Sequence, residues 1–299
     1  MNNLSLKKAK VEKNDEFYTQ LNDVSKELIH YKQHFKNKIV YCNCDNPIQS
    51  AFWEYFHLNF EELELKELIS THYDNNQSTY KMVYIGKNDS NIQIGIKTNL
   101  QNNGDFRSQE CLDILDKSDI IVTNPPFSLF REYIMCLIKH NKKFLIIAPL
   151  NAVKYKEIFP LIKDNKIWTG NGFQGGNAYF SIPPNVDTSI YAKGVYDETT
   201  RLVKFRNCIW LTNMDLEKRH KELILQKKYS SNDFPTYDNY DAIECSKVAN
   251  IPYDTNKIIG VPITFLTQYN PNQFEIIGKL SNGVINGKKV YERILIRKK

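Results

Sequence analysis

No glycine occurs before Gly86 in this 299-residue chain. A pyrophosphate-binding turn of the dinucleotide type places glycines directly after the first strand, so their absence counts against a dinucleotide cofactor. The candidate first strand, Lys38–Cys42, runs instead into Asn43, Cys44, Asp45 and Asn46. Asn and Asp tolerate left-handed backbone better than other non-glycine residues, so a tight turn there is feasible. No apolar run approaches the ~18 residues of a membrane span. The N-terminal MNNLSLKKAKVEKNDEF lacks the apolar stretch of a secretion signal, and a cytoplasmic protein is expected. The cysteines stand at 42, 44, 111, 136, 208 and 245, and no second close pair joins Cys42 and Cys44. Neither a disulfide framework nor a structural zinc site is expected. His30 and His34 are spaced i, i+4, but nothing suggests a third ligand, so no metal is expected.

What is present is an ordinary soluble composition, 41% apolar and 25% charged, with a mild net charge of +6. The positive charge is clustered: Lys7, Lys8, Lys10 and Lys13 at the start, Lys218-Arg219-His220-Lys221 and Lys227-Lys228 later, and Arg293, Arg297, Lys298 and Lys299 at the end. A basic C-terminal third fits a polyanion partner and equally fits a solvated surface.

As far as about residue 215, short β-type runs alternate with helical patterns. Lys38–Cys42 and Leu68–Thr71 read as strands separated by a helical pattern over Ile48–Leu65. Tyr80–Ile85 and Ile92–Ile96 read as a hairpin around Asn88-Asp89. A helix over Gln109–Lys117 leads into the strand that ends at Asn124, and Ser128 is placed to cap the next helix, to about Lys139. Phe144–Ala148 follows as a strand, then a helix over Ala152–Ile162, and strands at Ile167-Trp168 and Asn207–Leu211. This alternation predicts an α/β, doubly wound parallel sheet, in which ligands sit outside the carboxyl ends of the strands. Cys42–Asp45, Asp74 and Asn124 stand at three such ends. The last third carries Asp, Asn and Pro turn signals around short β-type pieces, Ile258–Phe265 and Phe274–Ile277, so residues 1–214 and 215–299 are expected to form two domains.

The stretch DIIVTNPPFSLF (119–130) carries the chemistry. A planar exocyclic amine is a weak nucleophile because its lone pair is delocalised into the ring. Two acceptors on its hydrogens pull it toward a tetrahedral geometry. The side-chain carbonyl of Asn124 and the backbone carbonyl of Pro125 are such acceptors. Pro125 and Pro126 stiffen the loop, since each fixes its own φ and holds the preceding residue extended. Phe127 offers a flat face for a base, worth ~1–3 kcal/mol of stacking. Positioning of this kind can lower a barrier by several kcal/mol.

Asn124-Pro125-Pro126-Phe127 resembles the catalytic loop of S-adenosylmethionine-dependent amino-group methyltransferases, and its Asn and Phe resemble the adenine-N6 enzymes. Lys13-Asn14-Asp15-Glu16-Phe17-Tyr18-Thr19-Gln20 is similar to the N-terminal cofactor motif, with Gln20 where many relatives have proline. Val40–Pro47 followed by Phe52-Trp53, Thr71–Asp74, Trp210–Asn213 and Gly260–Leu266 resemble the EcoRI-type adenine-specific modification methylases. The resemblance implies a Rossmann-like S-adenosylmethionine-binding catalytic domain with a small C-terminal target-recognition module. It implies methyl transfer from S-adenosyl-L-methionine to the N6 of an adenine flipped out of double-stranded DNA.

Position by position, Asn124 and Pro125 would accept the amine hydrogens and Phe127 would stack on the base. Tyr18 and Thr19 would line the cofactor pocket, and Asp45 or Asn43 would lie near the methionine end. Asp74 would bind the ribose hydroxyls, and Asp105 would accept from the cofactor's adenine amine. Lys218, Arg219 and Lys221 would contact DNA phosphates. His72 is expected to be structural. A restriction-modification role is implied, any nuclease being a separate protein, and a monomer fits methylation of one strand per encounter. RNA adenine-N6 and protein glutamine methyltransferases also use an Asn-Pro-Pro-aromatic loop, but the matches outside that loop argue against them.

Overall fold

A computed structural model describes residues 17–74, 79–86, 95–173, 176–182 and 186–299. Lys7, Lys8, Lys10, the Lys13–Glu16 part of the N-terminal motif and the Asn88-Asp89 turn lie outside the described residues. The chain forms two compact units, one containing residues 1–157 and 170–214, the other 158–169 and 215–299. The segment Ile158–Thr169, which sequence reading places in the first domain, belongs with the second unit. No helix among the described residues is long and apolar enough to cross a membrane.

The first unit is mixed α/β. Strands β1 (Tyr18–Thr19), β2 (Ile39–Cys42), β3 (Glu67–Thr71), β4 (Tyr80–Tyr84), β5 (Ile96–Asn99), β6 (Ile120–Thr123) and β7 (Lys143–Pro149) come first. After β8 (Trp168–Thr169, second unit) follow β9 (Ala178–Ser181), β10 (Tyr196–Asp197), β11 (Leu202–Phe205) and β12 (Cys208–Thr212). Within this unit the main sheet runs β5-β4-β3-β2-β6-β7-β12. Its centre is parallel, β3 to β2, β2 to β6 and β6 to β7. β4, β5 and β12 are antiparallel to their neighbours. Parallel strands are covered on both faces, which explains why Ile120–Thr123 is buried throughout.

The helices follow local chemistry. The Ser50 side chain accepts from the amides of Phe52 and Trp53 and starts a helix over Ala51–Leu58. That helix is shorter than the expected Ile48–Leu65. Ser108 accepts from the Cys111 amide and starts the helix Gln109–Lys117, which buries Cys111, Ile114 and Leu115 at i, i+3, i+4 spacing. The helix Phe130–Lys139 buries Phe130, Tyr133, Ile134 and Leu137. Its N-cap is Leu129 and no side chain caps it, because Phe127–Leu129 form a 3-10 turn after Pro126; Ser128 is not its cap. The expected helix over Ala152–Ile162 is broken into a 3-10 turn, Leu150–Lys154, and a short helix, Phe159–Lys163, which opens on Pro160.

A second, antiparallel sheet in this unit was not foreseen. Its order is β1-β9-β11-β10, with Tyr18 opposite Ser181 and Thr19 opposite Phe180. Phe17, Phe180 and Phe205 pack edge to face beneath it, Phe17 to Phe205 at 4.9 Å between ring centres.

The second unit holds β13 (Thr236–Tyr237), β14 (Tyr240–Glu244), β15 (Ile259–Val261), β16 (Phe274–Leu280), the short pair β17 (Val284–Ile285) and β18 (Lys288–Lys289), and β19 (Arg293–Lys298). Its sheet order is β13-β14-β15-β19-β16. β15 stops at Pro262, and Phe265, expected in a strand, lies in the 3-10 helix Ile263–Gln268.

Candidate active site

Connection order places the site. From β2 the chain goes to β3 on one side of it, while β6 and β7 lie on the other side, so the strand order reverses between β2 and β6. At such a reversal the loops leaving the carboxyl ends diverge and open a crevice. The loops that leave β2 and β6 there are Asn43–Asn46 and Asn124–Phe127.

Thr123, the last residue of β6, ties these two loops together. Its buried hydroxyl donates to the Asp45 carboxylate and accepts from the Cys44 amide at 3.2 Å. Ser50 donates to the other Asp45 oxygen at 3.1 Å. The Asp45 amide donates to the carbonyl of Thr71 at 3.1 Å, which links the β3 end to the same cluster. Burial pushes the Asp45 carboxyl up to about 7, against hydrogen bonds from Thr123, Ser50 and the Asn124 backbone that stabilise its charge. Asn43 is spoken for: its side-chain oxygen accepts from the Tyr133 hydroxyl at 2.5 Å, and the residue is buried.

Asn124 is oriented from outside its loop. Its amide nitrogen donates to the backbone carbonyl of Phe17 at 2.7 Å. Its carbonyl oxygen is buried and has no hydrogen-bond partner among the described residues. A buried amide oxygen left unpaired costs ~1–3 kcal/mol, so it is an unusual group to find beside an otherwise satisfied loop. In that loop Pro125 is buried, the carbonyl of Pro126 accepts from Leu129 at 3.1 Å, and Phe127 is half-buried. Phe17, which sequence reading did not single out, is therefore what turns the Asn124 amide, and the Phe17–Phe180–Phe205 cluster holds Phe17 in place. Tyr18 and Thr19 follow it in β1, and the Thr19 hydroxyl is a second buried oxygen without a partner among the described residues. Gln20 reaches the Tyr18 carbonyl at 3.4 Å and the Ser181 hydroxyl at 3.5 Å, side-chain contacts that proline could not make.

The third strand end carries His72 and Asp74. The Asp74 amide donates to the Asn103 carbonyl at 3.1 Å, bringing the β3 end to the Gly104-Asp105-Phe106 loop. Gly104 has a φ of +74°, and a Cβ on it would come within 1.9 Å of the His72 carbonyl oxygen, so only glycine fits. Phe106 packs on Tyr133 at 5.1 Å, the same Tyr133 that holds Asn43. The Asp105 carboxylate receives Arg107 through both of its oxygens, at 2.9 and 2.7 Å, and these hydrogen bonds hold its pKa below the usual carboxylate range. His72 sits against Tyr80 at 4.9 Å, burial lowers its pKa more than nearby Asp74 raises it, and its buried Nδ1 has no hydrogen-bond partner among the described residues.

In the second unit, Lys218, Arg219 and Lys221 lie in or just after the 3-10 turn Glu217–His220. Lys221 pairs with Glu217 at 3.1 Å, with both side chains exposed. The Arg219 guanidinium stacks 3.7 Å over Trp168 and donates to Asn165 at 2.9 Å, so it fastens the Ile158–Thr169 segment within its own unit. Among the described residues no group of three or more His, Cys, Asp or Glu is placed to hold a metal ion.

A strand-order reversal, a proline-stiffened loop and a buried amide oxygen, unpaired among the described residues, thus come together at the carboxyl ends of β2 and β6. Residues 5–299 match the family described as adenine-specific methyltransferase EcoRI, and the chain belongs to that family. It is 47% identical to the type II methyltransferase M.EcoRI of Escherichia coli, over 99% of this chain and 97% of that protein. It is 36% identical to the type II methyltransferase M.MgeORF184P of Mycoplasma genitalium, over 97% and 98%, and 36% identical to M.MpnI of Mycoplasma pneumoniae, over 92% and 85%. No solved structure matches the chain.

Proposed function

We propose that the protein is a site-specific DNA adenine-N6 methyltransferase using S-adenosyl-L-methionine, the modification enzyme of a restriction-modification system. The observation that carries this reading is the Asn124 amide: nitrogen committed to Phe17, oxygen buried and unpaired. Such an oxygen is an acceptor waiting for a donor, and the N6 amine of a flipped adenine is a donor of the right kind. The parallel sheet with its order reversal is then a Rossmann-like cofactor fold; the unit of residues 1–157 and 170–214 supplies catalysis, and the unit of 158–169 and 215–299 supplies target recognition.

The cofactor fits the donor set. Asp45 is a carboxyl that burial disfavours as an anion, and a cationic ammonium nearby would restore its charge. Asp45 is therefore assigned to the methionine end in preference to Asn43, which has no charge to offer an ammonium. The unpaired Thr19 hydroxyl, with Tyr18 beside it, lines the pocket. Asp74 takes the ribose hydroxyls, and Asp105, oriented by Arg107, accepts from the adenine amine of the cofactor. When bound, S-adenosyl-L-methionine supplies an electrophilic methyl group.

The chain's own residues do the rest. Asn124 Oδ1 and the Pro125 carbonyl accept the two amine hydrogens, so the nitrogen lone pair is released from the ring. Pro125 and Pro126 keep both acceptors still, which removes reorganisation from the barrier. Phe127 stacks on the base. No strong base is required, because the amine proton becomes acidic only as the nitrogen gains positive character. Lys218 and Lys221 are assigned to DNA phosphates, with Arg219 supporting the turn that carries them. A monomer suffices.

Incubation with methyl-labelled cofactor and, in parallel, duplex DNA, RNA or protein tests the reading. Label is expected in duplex DNA. Label confined to RNA or protein would sink it.

A further inference from the structure

The second unit carries a built projection that none of the assigned residues uses, the β17–β18 hairpin. Its turn is Asn286-Gly287, with φ of 48° and 72°, the left-handed pair that a two-residue hairpin turn demands. The Asp238 carboxylate accepts from both turn amides, Asn286 at 3.2 Å and Gly287 at 2.8 Å, and the Asp238 amide donates to the Val284 carbonyl at 2.7 Å. Asn239 accepts from the Val284 amide at 3.0 Å and donates to Asn282. Beneath the hairpin, Ile285 and Val290 pack on a core of Tyr237, Ala242, Leu280 and Leu295. Gly283 permits that approach, since a Cβ there would lie 2.9 Å from the Tyr237 ring. Just past the hairpin, Arg293 grips Glu244 through Nε and Nη2, and Tyr237 donates to the same carboxylate. Arg293 Nη1 also donates to the carbonyl of Tyr291 at 3.3 Å.

All this rigidity supports side chains that do nothing for the fold. Lys288 and Lys289 are exposed, and none of the ion pairs among the described residues involves them. Tyr291 is 87% exposed. Glu244 is paired with Arg293, Asp238 and Glu292 accept from the turn amides and from Ser281, and among the described residues none of these carboxylates forms an ion pair with Lys288 or Lys289. A pinned hairpin with two unneutralised lysines and a bare aromatic ring is the wrong surface for a protein core and the right one for a polyanion with stacked bases. A two-stranded β-ribbon also fits the ~12 Å width of the B-DNA major groove.

We propose that the hairpin over residues 281–292 is a DNA-docking element, with Lys288 and Lys289 on backbone phosphates and Tyr291 packed on a base or sugar edge. This rests on duplex DNA being the substrate. The test is the affinity of the full chain for a fluorescent mixed-sequence 30-base-pair duplex, measured between 50 and 200 mM salt. Each phosphate contact contributes ~0.9 to the slope of log affinity against log salt. K288A/K289A is expected to lower that slope by about 1.8, so that across this range it loses about tenfold less affinity than the wild type. Y291A is expected to weaken binding about fivefold or more with the slope unchanged, as loss of an uncharged contact should. Both variants change exposed side chains, and an unchanged thermal melt shows that each is folded. Wild-type slope and affinity in both would overturn the hairpin assignment alone. A wild-type chain that binds RNA but no duplex would instead overturn the underlying DNA reading.

Discussion

At Asn124 the two ends of one amide differ: the nitrogen end is anchored 2.7 Å from the Phe17 carbonyl, and the oxygen end, the acceptor of the proposed reaction, is buried without a partner among the described residues. Asn124→Ala removes the acceptor together with the amide's bond to the Phe17 carbonyl. Methyl transfer is expected to fall by ~10²–10³-fold or more, while stability changes by only about 1 kcal/mol, the net worth of one hydrogen bond. Retained transfer would refute the role. Asp45 makes a separate prediction through pH. Its carboxyl is raised from 3.8 to about 7 by burial, so between those values the folded chain holds a proton that the unfolded chain has lost. Stability therefore falls as pH rises across that window. Asp45→Asn keeps the shape without the charge and is expected to flatten the fall between pH 4 and 7 in urea titrations of the apoprotein. A mutant curve parallel to the wild type would show that Asp45 is not the titrating group.

Helices and loops explain why these residues meet. Thr123 ends β6 and its hydroxyl bridges to the loop after β2, so that loop is tied to the strand that carries the Asn-Pro-Pro-Phe loop. The Gly104 loop performs the same service for the β3 end. Gly104→Ala places a methyl on the His72 carbonyl at a φ of +74° and should lower stability by ~1–3 kcal/mol or more. A rise in the Michaelis constant for the cofactor is expected to exceed any loss in turnover, since Asp74 and Asp105 flank that contact. A chain that melts like the wild type would contradict the close approach. Glu27 supplies a third device of this sort. Buried in the first unit, it receives the amides of Asn171 and Gly172 and the Tyr31 hydroxyl, and so fixes the loop that follows β8.

For the whole molecule the consequence is a defined methylation mark. DNA from cells expressing the chain, read by modified-base sequencing, is expected to carry N6-methyladenine at one short sequence and nowhere else. Modified adenine scattered without a common sequence would separate the catalytic reading from target recognition, and no modified adenine at all would remove both.

Much of this was legible in the residues. The parallel strand ends, the helix over Gln109–Lys117 and the Asn-Pro-Pro-Phe loop follow from apolar period, capping serines and proline chemistry, all of which act over a few neighbouring positions. The sheet over Ala178–Phe205 was not, nor the membership of Ile158–Thr169 in the second unit, because antiparallel pairing of Tyr18 with Ser181 depends on partners 163 residues apart. Nor did the basic run reveal that Arg219 faces inward onto Trp168, since charge alone does not say which side of a turn a side chain takes. The sequence by itself determined where an amide stands beside two stiffening prolines at a strand end, because that is a local property. Only the tertiary structure decided which way that amide points, because Phe17, 107 residues away, supplies the carbonyl that turns it.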